Sequence, residues 1–366
     1  MKVAVYQVAM DSPADTSRLE ALVTSGTLDP RTIVACIGKT EGNGGANDFT
    51  RALATVSYQN MLAKYMSTEK VSQIAFVWSG GTEGVLSPHA TFFTRDDSPL
   101  YDDNSDEGGS LAISVQVTPV LEPEDVGTAK MVEIVANAVR EAMLDAGVEN
   151  VDDVHYVQVK GPLLTPAGIT AAQQRGSALV TTDPNLSKGY ARGAMALGVA
   201  LALGEVAVPV DGWNSVINQD LSLYSAVAST SAGGELTCCE VILMANTKKA
   251  RGEYRIGHAL LQDAVDAEGV REAMLRAGVE WKEPRDSRQD EVAAVFAKAE
   301  ALAVLRGYRT TMYSDADIHY ERHARAAVGA VIASVIGRST IFVSGGTEHQ
   351  CAPGAAPIAV IARRQQ

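Results

Sequence analysis

Two stretches of this 366-residue chain are nearly identical. Residues 139–149 read VREAMLDAGVE and residues 270–280 read VREAMLRAGVE, differing only at Asp145 and Arg276. A match that keeps Met, Gly and Val in register marks an internal duplication, and a duplicated chain folds as copies of one supersecondary unit. In the first copy Val139, Ala142, Met143 and Ala146 fall at helical spacing, with Gly147 in the capping place. Each copy therefore predicts the second half of an amphipathic helix. A strand-like apolar segment follows each one, VHYVQVK ending at Lys160 and VAAVFAK ending at Lys298. The first third has the same grammar more faintly: Leu19, Leu22 and Val23 on a helix begun near SPADTS, then IVACIGK ending at Lys39.

A second recurrence is SGGTE at 79–83, SAGGE at 231–235 and SGGTE at 344–348, each after a β-prone run (IAFVW, SAVAST, TIFV). A plain tight turn needs Gly but not the same Ser and Glu three times. Small residues beside Ser79, Ser231 and Ser344 let backbone N–H groups come close to a ligand. A third recurrence is an arginine predicted to open a helix: Arg51 in NDFTRALATVSYQ, Arg192 in GYARGAMALGVALA and Arg325 in RHARAAVGAVIAS. The units run over about 1–104, 105–250 and 251–366, with charged segments at 102–109 and 246–253 between them. Strands alternate with helices in each, so the expected fold is α/β, three pseudo-threefold repeats forming one body with the active site at its centre.

Three Ser–Lys–Arg sets facing one axis make a compact nest of donors, whose natural guest is a small, flat, acceptor-rich ring. The net charge of −13 argues against nucleic acid, which needs a basic surface. An acidic protein can still hold a basic pocket. No run approaches a membrane span and the N-terminus lacks a secretory pattern. The four cysteines, Cys36, Cys238, Cys239 and Cys351, form no CxxC. A cytoplasmic setting with free thiols is expected. The six histidines are scattered and none recurs across the units, so a buried lysine is the candidate base for a serine nucleophile. Desolvation and neighbouring arginines lower its pKa, and backbone N–H groups beside the serine would hold an oxyanion. GKT at 38–40 fails as a phosphate loop because the required Gly is Ile33. The adjacent Cys238 and Cys239 lack partners at metal-ligand spacing.

GKTEGNG (38–44), SGGTEGVLSPH (79–89), VQVKGPLLTP (157–166), TTDPNLSKGYARGAMALG (181–198), FAKAEA (296–301), RHARA (322–326) and VSGGTEHQ (343–350) occur in that order. Carrying them, nearly the whole chain resembles the cyanuric acid hydrolases and barbiturases, cyclic-amide hydrolases of the "Toblerone" fold. The resemblance implies three repeats around a central β-barrel and a homotetramer. It implies Ser231 as nucleophile and Lys160 as its base, a choice among the three dyads that the residues alone leave open. Ser79 with Lys39, Ser344 with Lys298, the adjoining Gly80, Ala232 and Gly345, and Arg51, Arg192 and Arg325 would bind the ring. The implied reaction opens cyanuric acid to carboxybiuret, which decarboxylates to biuret. No organic cofactor is implied, but a structural Mg²⁺ or Ca²⁺ is, held by Glu300 and the 347–355 loop: Thr347, Gln350, Cys351, Ala352 and Ala355. There the chain departs from the usual pattern, with Cys351 and Ala355 where glycines are common. Barbiturate ring opening is the alternative with the same machinery. A non-catalytic protein that merely holds a flat anion is the alternative of another class.

Overall fold

The computed structural model describes residues 1–98, 109–281 and 291–364. The expected boundary at 104/105 lies outside the described residues. Each third of the chain builds one four-stranded mixed sheet. The first contains β1 (Lys2–Ala9), β2 (Ile33–Thr40), β3 (Ala75–Gly80) and β4 (His89–Asp96), in the order β1-β4-β2-β3. The second contains β5 (Ser110–Val117), β6 (Val154–Pro162), β7 (Ala228–Gly233) and β8 (Glu240–Thr247), in the order β5-β8-β6-β7. The third contains β9 (Tyr254–Leu261) and β10 (Val292–Ala299), then, after a small hairpin of β11 (Val304–Leu305) and β12 (Tyr308–Arg309), β13 (Phe342–Gly345) and β14 (Ala356–Arg363). Its order, β9-β14-β10-β13, is the same.

The copies agree in detail. In every sheet the second strand runs parallel to the third and antiparallel to the fourth. That second strand shifts register at the same place each time, between Ile33 and Ala35, Val154 and Tyr156, and Val292 and Ala294. A bulge is a local feature of a strand pair, so three in equivalent positions are inherited from one unit.

The helices are α1 (Ser17–Thr24), α2 (Thr50–Leu62), α3 (Thr68–Ser72), α4 (Ala129–Ala146), α5 (Pro166–Arg175), α6 (Pro184–Leu203), α7 (Ala267–Arg276) and α8 (Tyr320–Ile336). The duplicated VREAML segments fall in α4 and α7, and Gly147 caps α4 in the left-handed region at φ 71°. Each sheet buries one face under its own helices. The opposite faces meet in a shared axial core to which Ile37 and Phe93, Ile113 and Tyr156, and Phe296 and Phe342 contribute from the three sheets. Phe296 lies 5.1 Å from the Tyr156 ring and 6.1 Å from that of Phe93. The expected central barrel is thus three sheets closed by side-chain packing. Among the described residues no continuous hydrogen-bonded ladder joins one sheet to the next. Also among them, no helix is long and apolar enough to cross a membrane.

Candidate active site

The site grows out of strand register. In each sheet the parallel pair of second and third strands sets a lysine beside a serine: Lys39 opposite Ser79, Lys160 opposite Ser231, Lys298 opposite Ser344. All six are buried, the serines by at least nine-tenths and the lysines almost wholly. Gly80 is required by close approach, since a Cβ there would stand 1.6 Å from Oδ2 of Asp48. Asp48 in turn accepts from the Gly44 and Thr50 N–H groups and so shapes the 42–50 loop against the pocket.

Each lysine also crosses to the neighbouring unit, donating to the carbonyl just before that unit's serine. Lys39 donates to Val343 O (2.6 Å), Lys298 to Thr230 O (2.7 Å) and Lys160 to Trp78 O (3.3 Å). The arginines close a second ring in the opposite sense. Arg51 grips Glu235, Arg192 grips Glu348 and Arg325 grips Glu83, each through Nε and Nη2 in a two-pronged pair at 2.6–3.3 Å. Paired forks of this kind fix geometry as well as charge. Only Arg51 sits at a helix start. Arg192 is in the middle of α6, because Asp183 caps that helix and Pro184 opens it two turns earlier, and Arg325 lies in the second turn of α8.

The three dyads are not equivalent. Lys39 donates to Ser79 Oγ at 3.1 Å and Lys298 to Ser344 Oγ at 3.2 Å. Ser231 Oγ has no hydrogen-bond partner, while Lys160 lies 3.2 Å from Glu235. The lysines also face different ladder partners. Lys39 is opposite His89, Lys160 is opposite Glu240, and the β10–β14 ladder ends at Ala297 before Lys298.

Burial pushes all three lysines below the usual ammonium range. Arg325 adds to this for Lys39, and Arg192 for Lys298, which comes down to about 7. For Lys160, Glu235 works against burial while Arg51 works with it. Burial pushes Glu235 upward, but Lys160 and Arg51 outweigh it and hold the carboxyl at about 2. Burial raises Glu240 to about 7, against the pull of Lys160.

Of the twelve sequence-derived pocket residues, Ser79, Gly80, Lys160, Arg51, Arg192, Ser231, Ala232, Arg325, Ser344 and Gly345 line one cavity, and Lys39 and Lys298 stand beside it on Ser79 and Ser344. Its remaining lining includes Lys188 and Glu321, which sequence reasoning passed over. Both stand four residues before a site arginine, which was the available signal. The glutamate ring was also visible, as the last letter of each repeated turn.

Of the expected cation ligands, Glu300, Thr347 and Cys351 line a larger cavity of about 390 Å³, and Gln350, Ala352 and Ala355 do not. Glu300 accepts from the Thr347 hydroxyl and lies 3.4 Å from the Tyr313 hydroxyl. Burial raises its pKa, and the charge of Glu348 adds to that. The Gln350 side chain is already engaged, accepting from Thr230 N–H and donating to Gly346 O. Cys351 donates its thiol to Ala355 O, and Ala352 O accepts from the Ala355 N–H. A half-buried carboxylate met by hydroxyls, on the cavity that Thr347 and Cys351 also line, has the oxygen chemistry that suits a hard cation.

A buried serine beside a lysine of reduced basicity can perform acyl transfer, and the arginines suit a small planar molecule rich in acceptors. A family model described as amidohydrolase ring-opening protein matches residues 4–363, and the chain belongs to that family. A cyclic amide hydrolase from Azorhizobium caulinodans is 61% identical over 99% of this chain and 100% of its own length. A cyanuric acid amidohydrolase from Pseudomonas sp. (strain ADP) is 46% identical, with 99% of each chain covered. A solved cyanuric acid hydrolase, described as an evolutionary innovation by structural concatenation, superposes with a TM-score of 0.93 at 46% identity, covering 99% of both chains.

Proposed function

We propose that this chain opens cyanuric acid by hydrolysing one ring amide, giving carboxybiuret, which loses carbon dioxide to yield biuret. The observation that carries the reading is the asymmetry of the dyads. Ser231 is the one site serine whose hydroxyl is spent on no other group, and its lysine is poised between two carboxylates. In its neutral form Lys160 takes the Ser231 proton as Oγ attacks a ring carbonyl. Backbone N–H groups at Ala232 and Gly233 hold the oxyanion, and Lys160 returns the proton to the departing ring nitrogen. Water then releases the acyl group from Ser231. Ser79 with Lys39 and Ser344 with Lys298 hold the other two carbonyls, and Arg51, Arg192 and Arg325 draw negative charge onto the ring oxygens.

A structural Mg²⁺ or Ca²⁺ held by Glu300 and by backbone oxygens of Thr347, Gln350, Cys351, Ala352 and Ala355 would neutralise the Glu300 carboxylate and brace the 347–355 loop. We assign the enzyme to the cytoplasm as a homotetramer, as the family resemblance implies.

Barbiturate opening is the second reading. It is favoured by Lys188 and Glu321, which break the threefold character of the pocket and so suit a less symmetrical ring. The test is a product assay on both rings in parallel. Biuret from cyanuric acid supports the first reading. Fast opening of barbituric acid with none of cyanuric acid supports the second, and binding without opening of either returns the chain to a binding role.

A further inference from the structure

Three copies of Ser, Lys and Arg grip a threefold ring without preferring any of its edges, so whatever orients the ring must depart from the repeat. One helical turn before each site arginine the three units carry different residues: Asn47, Lys188 and Glu321. Asn47 is exposed and engaged with Asn43. Lys188 and Glu321 are buried, with side chains only 10% and 8% exposed, and both line the cavity that holds Ser231. They belong to different repeats, Lys188 on α6 and Glu321 on α8, and meet at this pocket alone.

Glu321 is anchored. Its Oε1 lies 3.1 Å from Arg192 Nη2, and its Oε2 lies 3.6 Å from Lys188 Nζ. The Lys188 ammonium is held by that ion pair but by no hydrogen bond among the described residues. Glu321 is its nearest anionic oxygen and stands beyond hydrogen-bond distance, and among the described residues no acceptor takes any of its protons. With its donors unspent and its side chain lining this cavity, the ammonium is available to donate to a ligand there.

We propose that Lys188 and Glu321 form an orienting subsite of the ring pocket, Lys188 donating to one ring carbonyl and Glu321 accepting from the adjacent ring N–H. The inference rests on the ring-opening reading above and adds its substrate class: six-membered cyclic imides presenting an unsubstituted –CO–NH– edge to this pair. Cyanuric acid offers such an edge in every orientation. A ring with a methylene in place of one N–H must turn that methylene away, which fixes the carbonyl that meets Ser231. A site built to hydrogen-bond a substrate group rejects analogues lacking it, because its own buried groups are left unpaired.

The experiment measures the calorimetric Kd for cyanuric acid in a Ser231→Ala background, with Lys188→Met and Lys188→Arg added singly and Tm recorded for each. Lys188→Met is expected to weaken binding at least about tenfold, the loss typical of a charge-assisted hydrogen bond, and Lys188→Arg to recover most of it. A Kd within twofold of the parent at unchanged Tm overturns the subsite. Binding that depends on Lys188, in a protein whose wild-type form never opens the ring, counts against the functional reading alone. A parent that binds no cyanuric acid overturns both. Were Lys188→Met to unfold, the Lys188→Arg and Glu321→Gln variants decide by the same measurement.

Discussion

Replacing Glu240 with Gln isolates the one charge that distinguishes the Lys160 dyad across its own ladder. Burial raises the Glu240 carboxyl from 4.5 to about 7, despite Lys160 and the Phe76 N–H, which favour its charged form. A carboxyl whose folded pKa exceeds its unfolded value adds stability in full below pH 4.5, and loses it as pH rises through 7. The displacement corresponds to about 3 kcal/mol, from about 1.4 kcal/mol per unit. Glutamine cannot ionise, so Glu240→Gln should gain on the wild type by up to about 3 kcal/mol between pH 4.5 and 8 in urea unfolding. The activity arm has its own sign. Removing the negative charge opposite Lys160 on the ladder takes away electrostatic support for the ammonium. The acid limb of kcat/KM should therefore move to lower pH, followed by the loss of cyanuric acid absorbance. If neither the stability difference nor the limb moves with pH, the coupling of Glu240 to Lys160 is refuted.

Gly257→Ala should destabilise the third unit by at least about 2 kcal/mol, because the new Cβ would stand 2.3 Å from Ala277 N and 2.5 Å from Arg276 C, both backbone atoms that cannot swing away. Urea unfolding reads this directly, and an unchanged midpoint would refute the close packing of β9 under α7. Mg²⁺ or Ca²⁺ should raise the Tm of the wild type and not that of Glu300→Gln. The same response in both proteins would remove Glu300 from the cation site.

Much of this site was legible in the sequence because it is written three times. A lysine ending one strand and a serine ending another, repeated at equivalent places, is enough to pair them once the strands lie parallel in register. The pairing of each arginine with the glutamate of another unit was not legible. Each copy contains both residues, and only closure about the axis decides that Arg51 meets Glu235 rather than Glu83. The helix starts show the limit of repetition: Asp183 and Pro184 begin α6 well before Arg192, so one residue occupies different depths in its helices. The barrel expectation met a similar limit, since alternating apolar strands specify buried faces without saying whether sheet edges join by hydrogen bonds or by packing. Lys188 was hidden by its setting, an ordinary lysine in a helix until α8 brings Glu321 against it.

The central claim is that three chemically similar dyads face one ring and that one of them attacks it. It is tested most directly by the turnover of cyanuric acid in Ser79→Ala, Ser231→Ala and Ser344→Ala, measured side by side with folding checked by Tm. The structure predicts that Ser231→Ala abolishes ring opening by at least about 10³-fold. The other two should lose less and show it chiefly in KM. A Ser231→Ala enzyme that turns over like the wild type, while Ser79→Ala or Ser344→Ala is dead, would contradict it.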